Sequence, residues 1–178
     1  INGGAPSKLT SEKGIYRTPR FSQNGMQIVY RKESGNTDQG MTFTKKPGIY
    51  IMDMDGRNPV KIINKGENPR FNVAGSRVFL QTGGTYFGNL TKKLISVNLQ
   101  GHDEREHVIS KYANHIVPSP DNNWVAFTNL HKAYIAPMPQ TGKPLILDGK
   151  SDNVPVQQIA KDAGVNLHWS SSSNKIMW

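Results

Sequence analysis

The chain has 178 residues, 22 Lys and Arg against 13 Asp and Glu, a net charge of +9, and no cysteine. It is long enough to bury a core, and it can build neither a disulfide framework nor a thiolate metal site or nucleophile. No run of eighteen apolar residues is present to cross a membrane as a helix. The basic excess is scattered over the pairs Arg31-Lys32, Lys45-Lys46 and Lys92-Lys93 without a basic helix, zinc-finger spacing or RNA-recognition signature, so nucleic acid is not an expected partner.

In chain order, Asn2–Thr10 (NGGAPSKLT) matches Asp55–Ile63 (DGRNPVKII), with glycine and proline at the same offset. It therefore reads as a turn followed by a strand. Pro19–Tyr30 then reads as a short strand, a two-residue Asn24-Gly25 turn and an alternating strand. Arg31–Gly48 is a long polar loop. Ile49–Asp53, the Asp55-Gly56 turn and Pro59–Ile63 form a second predicted hairpin. The first pattern returns at Pro69–Leu80, followed by the loop Gln81–Lys93, strand Leu94–Leu99, a turn at Gln100-Gly101 and Val108-Ile109. It returns again at Val117–Phe127, with a short loop Thr128–Lys132, strand Ala133–Met138 and strand Leu145–Leu147. An insertion near Asp148–Pro155 precedes Val156–Ala160, where the register favours a strand over a short helix. The last copy is His168–Trp178.

Phe21, Phe71, Pro118 and Trp169 are equivalent in this scheme, at intervals of 50, 47 and 51 residues. A period near fifty marks a repeat array. Each repeat holds four antiparallel strands, A to D in meander order, which is the blade of a β-propeller. The expected fold is all-β, a partial or small propeller of about four blades, with fifteen strands beginning at a D and ending at a B. Both ends cut through a blade, so residues 1–178 are expected to be a segment of a longer polypeptide. An open arc would expose a flank, so it is expected to close tightly, pair with another chain or belong to a larger ring.

In such a meander the B–C and D–A connections share one face, and rigid scaffolds present function on loops. That face is predicted to gather Arg31, Lys32, Lys45, Lys46, Tyr86, Phe87, Lys92, Lys93, His115, His131 and Lys132. Positive charge and aromatics together suit an acidic or carbohydrate-like ligand, or an acidic protein partner. No Gly-x-Ser-x-Gly elbow, phosphate loop or His-Glu-x-x-His pair occurs. Of the five histidines, His102 and His107 belong to a charged hairpin tip, where a metal is the minor reading, and His168 reads as structural. No catalytic residue, metal site or cofactor is assigned.

The units Pro-x-Phe-Ser-x-(Asp/Asn)-Gly-x-x-Ile-x-Tyr and Ile-Tyr-x-Met-Asp-x-Asp-Gly, closest at Phe21–Tyr30 and Ile49–Gly56, resemble the repeats of TolB-like β-propellers over almost the whole chain. Ile28–Lys32, Tyr134–Pro139 and Val165–Ser170 resemble the propeller that precedes a metal-dependent amidohydrolase barrel in large exported bacterial proteins. That resemblance implies a periplasmic or otherwise exported protein whose metal ligands and catalytic aspartate belong to the barrel. It implies a non-catalytic module that mediates protein interaction or gates or docks onto a hydrolase domain. Similar repeats in oligogalacturonate lyases imply the alternative, a propeller enzyme acting on an acidic carbohydrate through a divalent metal at His115. The third and fourth copies depart from the pattern at Asp121-Asn122-Asn123 and Ser172-Ser173-Asn174, which lack the turn glycine.

Overall fold

The computed structural model describes residues 3–36, 41–42, 44–84 and 88–178, and all regular structure among them is β. The first blade contains β1 (Ile15–Phe21) and β2 (Gln27–Glu33). A small hairpin of β3 (Gly35–Asn36) and β4 (Met41–Thr42) follows, and β5 (Gly48–Asp53) and β6 (Val60–Ile63) complete the sheet. Its order is β1-β2-β5-β6, all antiparallel. The second blade repeats this order with β7 (Glu67–Phe71), β8 (Arg77–Gly83), β9 (Lys92–Asn98) and β10 (Arg105–Ser110).

Side chains that alternate along a strand bury both faces of each blade. Val29, Ile49 and Ile51 of blade one meet Val78, Leu80, Ile95 and Val97 of blade two. On the far side of blade two, Phe79, Leu94 and Val108 meet Ile116, Val125 and Phe127 of blade three. Gln81 is 1% exposed and spans the same seam, accepting a hydrogen bond from the backbone N–H of Ile116.

The third blade departs from the predicted pattern. It contains β11 (Ile116–Pro118), β12 (Trp124–Asn129) and β13 (Lys132–Pro137), but β14 (Leu145–Ile146) does not close it. β14 instead pairs in parallel with β10 as the fifth strand of blade two. Pro137, Pro139 and Pro144 remove the donors that a hairpin back onto β13 would use. Leu145 and Leu147 then bury in the core between blades two and three. The D position is filled by β15 (Gln157–Gln158), which pairs with Tyr134 and Ile135. The strand favoured over 156–160 is thus present, and it occupies the place expected for Leu145–Leu147. The fourth copy is the hairpin of β16 (His168–Trp169) and β17 (Ile176–Met177), tied to blade three by the Trp169 indole donating to the Val117 carbonyl at 3.0 Å.

The A–B connection is not the predicted two-residue hairpin. The Ser22 N–H donates to the Gln27 carbonyl and the Gly25 N–H to the Ser22 carbonyl, which encloses four residues. Gly25 has φ 71° whereas Asn24 is not left-handed, so a type I′ turn, which needs both, does not form. The same bonds recur at 72–77, 119–124 and 170–175. Where the sequence lacks glycine, Asn122 (φ 61°) and Ser173 (φ 60°) take the left-handed position. The Ser or Asn that opens each turn binds the far strand, as Ser119 Oγ does in accepting from the Trp124 N–H at 3.0 Å.

Among the described residues no strand precedes Ile15, so the initial D strand is absent as a hydrogen-bonded element. Its position is nevertheless occupied. A Cβ on Gly101 would lie 1.7 Å from the Ile62 carbonyl oxygen, and one on Gly56 would lie 2.4 Å from that of Leu9. Leu9 therefore meets blade one where its repeat equivalent, Ile62, meets blade two, and it packs with Tyr16 against Ile28, Tyr30, Tyr50 and Met52.

Candidate functional site

The meander sends the B–C and D–A connections to one face, as expected. Arg31 and Lys32 end β2, Lys45 and Lys46 precede β5, and Lys92 and Lys93 open β9. His131 and Lys132 stand between β12 and the start of β13, and His115 immediately precedes β11. Tyr86 and Phe87 lie outside the described residues.

Carboxylates on the same face answer much of the predicted positive charge. Lys32 is only 5% exposed and pairs with Glu12. Burial opposes its charge, but the Glu12 hydrogen bond and carboxylate hold its pKa above the ordinary lysine value. Glu67 receives both Lys92 and Arg31, the latter at 3.6 Å, and Lys93 pairs with Glu106. Lys45, Lys46 and His131 are exposed. These carboxylates lie 13 to 36 residues from their partners in sequence, so a scan for basic doublets passes over them.

A groove of about 420 Å³ opens on this face between blades two and three, and its walls include Lys92, His115, Leu90, Tyr112 and Leu130. The short B–C turn of blade three is laced to the D–A connection beside it. Thr128 Oγ1 accepts from the N–H groups of Asn114 and His115, both at 3.0 Å. The Leu130 N–H donates to the Tyr112 carbonyl, and Asn114 Nδ2 donates to the Leu130 carbonyl, both at 3.1 Å. Leu130 is thereby held in the left-handed region at φ 57°, and its side chain is 60% exposed. Such a conformation is strained for leucine and persists only where surrounding bonds fix it.

His115 is partly buried beside this turn. Burial first, then the Lys92 ammonium, lowers its pKa, against a smaller opposing effect of Glu67, so the imidazole is neutral at pH 7. Glu67 is already engaged by Lys92 and Arg31. Among the described residues no three His, Asp or Glu side chains converge as metal ligands. The donors around His115 among the described residues do not make up the ligand set of a protein-held divalent cation. At the charged hairpin, Asp103 pairs with Arg77 and Arg105, while His107 lies 2.7 Å from Ser96 Oγ and packs on the Phe79 ring.

A second concavity lies at the opposite end of the blades, where the inner strands β1, β7, β11 and β16 end. Its volume is about 280 Å³, and Arg20, Arg70 and His168 line it with Phe71 and Trp169. His168, read from the sequence as structural, lines this concavity beside the two arginines. The signal was visible, since all three precede the repeated aromatic at the same repeat position.

No family model matches the chain, and no curated protein matches it. Solved structures do. TolB from Acinetobacter baumannii superimposes with a TM-score of 0.58 at 16% identity, over 92% of this chain and 37% of that one. The β-propeller domain of the trilobed protease from Pyrococcus furiosus, described as having an open velcro topology, gives 0.53 at 12% identity over 84% and 44%. The chain has the β-propeller fold. An oligogalacturonate lyase in complex with manganese gives 0.54 at 11% identity over 92% and 44%. The chain spans 37% to 44% of the lengths of these three propeller-containing chains. At such identities the likeness concerns the fold alone.

Proposed function

We propose that this propeller is a non-catalytic module that docks a protein partner through its B–C/D–A face, the partner being an amidohydrolase-like hydrolase domain of the same exported protein. The observation that supports this reading is the turn at Leu130. Two groups of the neighbouring connection, the Tyr112 carbonyl and the Asn114 side-chain amide, hold an exposed leucine in a strained conformation beside exposed Tyr112 and Leu90. A rigid apolar anchor of this kind, ringed by charged side chains, is the arrangement that carries most of the energy in protein interfaces. Lys45 and Lys46 on the blade-one connection and Lys132 beside the turn add positive charge to the same face, where charge acts mainly on encounter rate. The lyase-like alternative draws no support from the described residues around His115, among which no three ligands converge.

The test measures association of the purified chain with the separately purified amidohydrolase-like domain. Leu130→Asp is expected to weaken binding by about tenfold or more, as loss of a central anchor does, while leaving the thermal transition in place. Lys45→Glu with Lys46→Glu should slow association and reduce its salt dependence. Equal affinity of Leu130→Asp and the unaltered chain, or no association at all, would overturn the proposal. Lys92 and Lys93 are unsuitable for charge reversal, because each would then oppose a carboxylate, Glu67 or Glu106.

A further inference from the structure

The axial concavity has a construction that packing alone does not account for. Arg20, Arg70, Val117 and His168 are equivalent in the repeat, each one residue before Phe21, Phe71, Pro118 or Trp169. In three of the four copies the residue two positions earlier is left-handed: Thr18 at φ 49°, Asn68 at 51° and Asn166 at 57°. In β1 and β7 the ladder register shifts at this place, between Arg17 and Arg20 and between Glu67 and Arg70. β11 pairs with β12 without a shift, and its residue at this position is the apolar Val117. The register shift therefore occurs in the two copies that carry arginine, and the left-handed residue also in the copy that carries His168; the copy with Val117 has neither. A bulge re-aims the side chain that follows it. In blade one this is achieved with a β-branched residue in an unfavourable region and with the Thr18 hydroxyl buried without a partner.

The two charged groups brought together, Arg20 and Arg70, carry the same sign. No carboxylate lines the concavity among the described residues, and Phe71 and Trp169 supply apolar wall beside the guanidinium groups. Burial and the charge of Arg20 hold the Arg70 pKa down to about 10, so it remains a cation at pH 7. Burial, Arg20 and Arg70 likewise lower that of His168. Two cations drawn together in a partly desolvated place repel one another unless an anion joins them.

We propose that this concavity is an anion-binding site that takes a carboxylate or phosphate group carried on a small apolar body. The planar donor forks of Arg20 and Arg70 match either oxyanion, and neutral His168 can donate one further hydrogen bond. The Trp169 and Phe71 rings suit an attached apolar group. The site lies at the opposite end of the blades from the Leu130 groove and stands apart from the docking reading.

Calorimetric titration of the 178-residue chain at low salt with phenyl phosphate, benzoate and inorganic phosphate tests the proposal. Saturable binding of phenyl phosphate or benzoate is expected, and the stronger of the two identifies the headgroup. Arg20→Gln and Arg70→Gln should each weaken it by about tenfold, the loss typical of a charge-assisted contact, whereas Arg57→Gln, at an exposed turn, should not. Inorganic phosphate binding as tightly as phenyl phosphate would overturn the role of the aromatic wall. No saturation by any of the three, or unchanged affinity in Arg20→Gln, would overturn the site. Arg20→Gln decides the matter if Arg70→Gln does not fold. Because these variants leave Leu130 untouched, failure here and failure of docking are separate results.

Discussion

At the scale of single residues, the chain uses buried polar groups as ties between its strands, and His107, within blade two, shows the cost of one. Its ring is packed on Phe79 and bonded to Ser96, in the field of Arg77 and Arg105. Burial, then these two arginines, lowers its pKa from 6.5 to about 4. Between those values the unfolded chain takes up a proton that the folded chain refuses, so stability must fall as pH drops from 6.5 towards 4. At about 1.4 kcal/mol per pH unit the loss from this group has an upper bound of about 3 kcal/mol. His107→Gln retains a partner for Ser96 and should flatten that part of the curve. Urea unfolding of both chains at pH 7 and pH 4.5 measures the difference; parallel losses would show that His107 does not carry it.

At the scale of elements, the repeat was legible because the turn residues recur, yet its details depended on contacts that the sequence does not display. Ser22, Asn72, Ser119 and Ser170 stand at one repeat position because each opens the same four-residue turn. The Asn24-Gly25 dipeptide, read as a two-residue turn, hides the fact that only Gly25 is left-handed. The period placed Leu145–Leu147 as the fourth strand of blade three, but burial beside Phe79 and Leu94 drew it to β10. Long-range burial overrode local order there, and three prolines closed the alternative. On the loop face the lysines were legible and their carboxylate partners were not. Arg20, Arg70 and His168 stood in plain register, but nothing in the sequence marks the bulge at Thr18 that aims the first of them. Gly101 tests how closely the C–D turns sit on the preceding blade. With φ 79° and a Cβ position 1.7 Å from the Ile62 carbonyl oxygen, Gly101→Ala should lower stability by about 2–4 kcal/mol. Chemical denaturation measures it, and a loss under about 0.5 kcal/mol, the size of an ordinary surface change, would contradict the contact.

At the scale of the whole molecule, the two ends of the blades differ in kind. One carries long connections, paired charges and a fixed apolar anchor at Leu130; the other carries tight turns around Arg20, Arg70 and His168. The core that holds them apart is built between blades, since each apolar cluster at the inner seams draws residues from two adjacent repeats. Docking through the loop face can therefore proceed without rearranging a core, as rigid scaffolds allow. Amide hydrogen exchange of the chain, alone and with the amidohydrolase-like domain, tests this claim most directly. Slowed exchange is expected at 111–116 and 129–132, with the turns 22–25, 72–75 and 119–122 unchanged. Protection confined to those turns, or no protection anywhere, would contradict it.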